Sequence, residues 1–178
     1  MRSFIYLAFL GVVLATLAIV VRSGMLMSKH PGDPINSAMR SALAETSPQL
    51  STEDANAVRR DFPTAYQEAS GLMYVSRGPG FGTATPKVGD MVTARYTGRF
   101  LNGTIFDSSD AHDGTFTFQV GTGQVIKGWD EAFLLMKKGE RRTLIIPYWL
   151  AYGVDGRPPT IPPKATLIFE VELVDFGR

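Results

Sequence analysis

The sequence predicts an α+β domain in which an antiparallel five-stranded sheet wraps over one short helix, preceded by an N-terminal transmembrane helix and a spacer. Three observations carry this. Val92, Ala94, Tyr96, Gly98 and Phe100 alternate with Met91, Thr93, Arg95, Thr97 and Arg99, the period of a half-buried strand, and Leu167 to Val174 repeats it. Ile126, Trp129, Phe133 and Met136 recur at spacings of three, four and three, which is one stripe of a short helix. Phe4 to Val21 is an apolar run without a charge, bounded by Arg2 and Arg22.

That first run, assigned to residues 1–22 with its flanks, would form a helix of roughly 27 Å at about 1.5 Å per residue, just short of a ~30 Å hydrocarbon core. It exceeds the apolar core of a usual cleavable signal, and no Ala-x-Ala pattern follows it. An uncleaved anchor is therefore expected, with secretion after cleavage as the alternative. A buried core helix is a poor reading because no helical phase offers a polar face. Arg2 and the amino terminus compete with Arg22 and Lys29 for the positive side. The expected orientation keeps the N-terminus inside and exports the domain to the periplasmic or lumenal side.

Residues 23–70 read as a spacer. His30-Pro31-Gly32-Asp33-Pro34 is loop chemistry. Ser51-Thr52-Glu53-Asp54 resembles an N-cap with acids in the first turn, predicting a short helix over about 52–61 that Pro63 ends. The segment is expected to tether the domain away from the bilayer; a dimerisation or substrate-binding arm is the alternative.

Residues 71–178 hold the domain. The five strands are expected at Leu72–Arg77, Met91–Phe100, Phe116–Val120, Arg142–Ile146 and Leu167–Val174, with Asn102-Gly103 as a hairpin turn before Ile105. Lys137 and Lys138 are expected in the last turn of the single helix, with Gly139 as its stop.

Composition and motifs exclude more than they name. A net charge of +1 leaves no basic field to recruit nucleic acid. Zero cysteines remove disulfides, thiol nucleophiles and Cys-based zinc sites. His30 and His112 belong to no metal-binding spacing, and no cofactor fingerprint is present. Asp107, Asp110 and Asp113 alternate like calcium ligands but lack the glycine and terminal glutamate of an EF-hand, so no metal is expected.

What remains is a series of aromatics beside polar loop residues: Tyr96-Thr97-Gly98, Phe106-Asp107-Ser108-Ser109, Phe116-Thr117-Phe118, Val125-Ile126-Lys127-Gly128-Trp129-Asp130, Ala151-Tyr152-Gly153, and Ile161-Pro162-Pro163 running on to Ala165-Thr166-Leu167 and Phe169. In order and spacing these resemble the motifs of the FKBP family, from about Ser70 to the C-terminus. The resemblance implies peptidyl-prolyl cis-trans isomerase activity without a cofactor. It implies proline-containing unfolded or partly folded polypeptides as partners, and the family's macrolide inhibitors as ligands.

It further implies that Trp129 floors a pocket for the proline ring, walled by Tyr96, Phe106, Phe116, Val125, Ile126 and Phe169, with Phe118 among the substrate-binding aromatics. Tyr152 would offer its hydroxyl and Ile126 its backbone N–H to substrate carbonyls. Asp107 would stand beside the twisted amide, held by Tyr96 and His112, and Ile161 would lie in the loop that closes the pocket. The sequence departs from the family pattern at His112, where some relatives have arginine, and at Arg157-Pro158-Pro159-Thr160, which bears on substrate preference. An exported or membrane protein would be the client. A chaperone or docking module with incidental isomerase activity is the alternative reading.

Overall fold

A computed structural model describes residues 48–177. The proposed span at residues 4–21 and the first part of the spacer lie outside the described residues. Among the described residues, no helix is long and apolar enough to cross a membrane.

The first element is a helix, α1 (Thr52–Asp61), where the sequence predicted it. Ser51 caps it by accepting the Asp54 N–H at 3.0 Å, and Glu53 and Asp54 complement the positive end of its dipole. Seven strands follow: β1 (Tyr66–Gln67), β2 (Met73–Pro79), β3 (Met91–Phe100), β4 (Ile105–Ser108), β5 (Phe116–Gln119), β6 (Glu140–Ile146) and β7 (Leu167–Gly177). A second helix, α2 (Lys127–Leu134), precedes β6. The sheet is antiparallel in the order β1-β2-β6-β7-β3-β4, with β5 also pairing β3.

The expectation of five strands is thus corrected to seven. The two additions are β1 and β4. β1 has only two residues, both exposed, and β4 has four, so neither contains enough alternation to register as a period-two pattern. Pairing with β2 and β3 makes them strands. The Asn102-Gly103 turn forms as anticipated: the Gly103 N–H donates to Phe100 O and the Phe100 N–H to Thr104 O, both at 2.9 Å.

β4 and β5 share one edge of β3. The Thr97–Arg99 end pairs with β4 and the Met91–Ala94 end with β5, while β7 runs along the whole opposite edge. This splays the sheet edge and leaves room between the two short strands for an opening over α2.

The helix is shorter than its apolar stripe suggested. It ends at Leu134, and Lys137 and Lys138 lie beyond it rather than in its last turn. The Glu140 carboxylate draws the chain away by accepting the Lys137 N–H at 2.8 Å, and Gly139 makes the turn at φ +73°. Inward, α2 buries Trp129, Ala132 and Phe133 against Val92, Tyr96, Leu144, Ile146, Leu167, Phe169 and Leu173. Each large side chain so buried contributes about 1.5–3 kcal/mol. Gly128 permits the close approach, since a Cβ there would stand 2.6 Å from Ile146 Cγ2.

The other face carries a smaller core. Val58 and Phe62 of the α1 segment pack on Met73, Ile145 and Ile168, and Thr166 Oγ1 hydrogen-bonds Asp54. The helix placed by sequence in the spacer is therefore docked on the sheet, and the compact unit begins at Gln49.

Candidate active site

Between the splayed edge of the sheet and the start of α2 lies a cavity of about 730 Å3. Its lining is Tyr96 from β3, Phe106 and Asp107 from β4, Phe116 from β5, Val125, Ile126 and Trp129 around the start of α2, Tyr152 and Arg157 from the β6–β7 connection, and Phe169 from β7. Four strands, one helix and two loops are needed to assemble it.

Trp129 is the hub. Five rings surround its indole, from Tyr96, Phe116, Phe118, Phe133 and Phe169, with centroids 5.0 to 6.2 Å away. Most meet it edge-on, the arrangement that the ring quadrupoles favour. The indole N–H is buried without an oxygen or nitrogen partner among the described residues.

Gly98 shapes the opposite wall. A Cβ there would stand 2.7 Å from both Phe106 Cζ and Phe169 Cε1, so only a missing side chain lets these rings pack at 5.5 Å over β3.

One carboxylate enters this apolar bowl. Asp107 Oδ2 accepts from the Tyr96 hydroxyl at 2.8 Å, Oδ1 accepts from the Ser108 N–H at 2.9 Å, and His112 Nε2 lies 3.2 Å from Oδ1. Burial first, then the hydrogen bond to Asp107, holds the Tyr96 phenol well above the ordinary tyrosine range. The phenol therefore remains a donor to the carboxylate at any physiological pH.

Besides the Trp129 indole N–H, two donors are left without a partner among the described residues. The Tyr152 hydroxyl has no hydrogen-bond partner among the described residues, and the Ile126 N–H has no acceptor among them. Ile126 is the N-cap of α2, and its carbonyl takes the Trp129 N–H at 2.9 Å, which turns its own N–H outward from the helix.

Nine of the eleven residues singled out from sequence line the cavity: Tyr96, Phe106, Asp107, Phe116, Val125, Ile126, Trp129, Tyr152 and Phe169. Phe118 and Ile161 do not. Phe118 is 2% exposed and packs behind Trp129 against Phe133. Ile161 is 4% exposed and holds the loop below the rim, exchanging backbone hydrogen bonds with Arg157 at 2.9 Å.

Sequence reasoning missed other contributors. Gln124, Lys127 and Ala151 also line the cavity. Asp130 holds the loop before α2 by accepting the Gly121 and Gly123 N–H groups at 2.8 and 2.9 Å. Ser109, 1% exposed, accepts the Tyr96 N–H at 3.1 Å and so fixes the strand that carries the phenol. The last of these closes the Phe106-Asp107-Ser108-Ser109 motif, which was the available signal for it.

A concave aromatic site with a single anchored carboxylate, three unsatisfied donors and no nucleophile beside a base among the described residues defines a non-covalent site for an apolar ring flanked by carbonyls. Comparison with known proteins carries this further. Residues 82–174 match the family model for FKBP-type peptidyl-prolyl cis-trans isomerase. Over 99 residues the chain is 53% identical to FK506-binding protein 1A of Emericella nidulans, a match covering 56% of this chain and 92% of that one. It is 47% identical over 110 residues to peptidyl-prolyl cis-trans isomerase FKBP4 of Bos taurus, there covering 62% of this chain and 24% of the relative. The crystal structure of AtFKBP13 superposes with a TM-score of 0.60 at 36% identity, covering 64% of this chain and 98% of that one. The chain belongs to the FKBP family of peptidyl-prolyl cis-trans isomerases.

Proposed function

We propose that this isomerase acts on X-Pro bonds of exported or membrane proteins during their folding, tethered to a membrane by residues 4–21 with its domain on the exported side. The observation that carries the catalytic part is the aromatic bowl over Trp129 with Asp107 anchored at its wall. The uncharged run from Phe4 to Val21 supports the location, and the absence of cysteine agrees with it.

The chemistry requires little machinery. Amide resonance imposes a barrier of about 18–20 kcal/mol on rotation, and the uncatalysed change takes tens to hundreds of seconds. The planar amide is a strong dipole that water stabilises; the twisted transition state has lost much of that resonance. Seating the proline ring on Trp129 strips water from the ground state at a larger cost than from the transition state. Asp107 lies beside the rotating carbonyl, while the Tyr152 hydroxyl and the Ile126 N–H hold the flanking carbonyls. No bond is made or broken. The same bowl and donors would accommodate a macrolide with an apolar ring and adjacent carbonyls, as the name of the Emericella relative indicates for that protein.

The test is the cis-to-trans rate of a Leu-Pro peptide with residues 49–178, alongside Tyr96→Phe and Trp129→Leu. Acceleration that declines in both variants supports the pocket assignment. A folded domain that leaves the peptide at its background rate overturns it. For the location, the full chain should sediment with membranes and lose that property when residues 4–21 are deleted; recovery of the intact chain in the soluble fraction refutes the anchor.

A further inference from the structure

The charges around the pocket do not balance. Four titratable side chains other than tyrosine line it: Asp107, His112, Lys127 and Arg157. Asp107 already has both oxygens engaged, by Tyr96, Ser108 and His112. Lys127 and Arg157 are exposed, and neither makes an ion pair among the described residues. Two free cations thus face an opening whose only carboxylate is in use.

The fold places both residues at the rim. Arg157 is locked at its backbone by reciprocal hydrogen bonds with Ile161 at 2.9 Å, and its guanidinium carbon lies 5.9 Å from the centre of the Tyr152 ring. Lys127 is the first residue of α2, where the helix dipole adds to its positive potential. The acid of that first turn, Asp130, spends its oxygens on the Gly121 and Gly123 N–H groups. Apolar walls beneath the rim concentrate the resulting field at the mouth.

We propose that Arg157 and Lys127 are specificity-determining residues that select X-Pro segments bearing an acidic side chain immediately before or after the proline. The inference rests on the isomerase reading above and specifies its substrate class. Rim charges act through water, so the preference is modest: about three- to fivefold in kcat/KM for glutamate over its neutral isostere glutamine at low ionic strength, declining as salt screens it.

The experiment uses the full chain in an uncharged detergent. Peptides carrying Leu-Pro, Gln-Pro and Glu-Pro are compared, as are Pro-Gln and Pro-Glu peptides, at low and high salt. The expected result is a Glu-to-Gln ratio above three in at least one position, approaching one at high salt and in the double variant Arg157→Gln, Lys127→Gln. Arg157→Glu should shift the preference towards lysine over glutamine. A ratio of one in both positions, or a ratio that survives the double substitution, overturns the inference while an accelerated Leu-Pro peptide leaves the isomerase reading standing. Failure to accelerate even the Leu-Pro peptide brings down that reading and this inference with it.

Discussion

The Tyr96 hydroxyl donates to Asp107 Oδ2 at 2.8 Å, linking β3 to β4 across eleven residues of sequence at the wall of the pocket. Without that bond the carboxylate would keep only the Ser108 N–H and His112, both on its own side of the hairpin. The bond therefore joins the floor, through the edge contact of Tyr96 with Trp129 at 5.0 Å, to the sole acid in the cavity.

Tyr96→Phe keeps the ring and removes the donor. A hydrogen bond to a charged group contributes about 1.5–3 kcal/mol, so kcat/KM for a Leu-Pro peptide should fall by about ten- to a hundredfold if the bond is fully used in the transition state. Circular dichroism should show the fold retained. An unchanged rate would mean that the orientation of Asp107 is not used.

The raised proton affinity of Tyr96 makes a second prediction, about alkaline stability. Its folded pKa lies above the ordinary value of about 10. The stabilisation is whole below that pH, where the unfolded chain also keeps its proton. It is lost as pH rises from about 10 towards the folded value, because there the unfolded state releases a proton that the folded state retains. Urea unfolding across this range should show stability declining more steeply in the native chain than in Tyr96→Phe. Equal slopes would refute the assignment.

Gly98→Ala tests the wall. The new Cβ would meet Phe106 and Phe169 at 2.7 Å, so the two rings must move. Overpacking of this kind costs about 1–3 kcal/mol. The isomerase rate should fall more than the loss of folded protein explains, which a rate measured per folded molecule would reveal.

Removing α1 tests the second core. A fragment of residues 71–178 lacks Val58 and Phe62 and exposes Met73, Ile145 and Ile168. It should be less stable than residues 49–178 by about 2–4 kcal/mol, on the scale of burying one or two large apolar side chains. Urea midpoints of the two fragments measure this; equal midpoints would show that the helix is only laid on the sheet.

Much of this molecule was legible before its structure. Long strands announced themselves because β3 and β7 bury one face over ten and eleven residues, enough for a period of two to emerge. The α1 cap was readable because Ser51 and its acids act within one turn. Local chemistry of this kind is written in adjacent residues, as is the motif series that placed the chain in its family.

Tertiary structure decided the rest. Phe116 and Phe118 share one face of β5 and both meet Trp129, so the two-residue alternation cannot tell them apart; their places along the strand, fixed by packing, put Phe116 in the cavity and Phe118 behind the indole. The end of α2 was set by Glu140 reaching back to the Lys137 N–H, a contact no helical periodicity contains. The docking of α1 depends on apolar residues of β2, β6 and β7 that are distant in sequence. Sequence determined the elements and the chemical inventory, because propensity, capping and periodicity act over a few residues. Only the folded chain decided which rings share a cavity and which charges remain free at its mouth, because those relations join residues that only packing brings together.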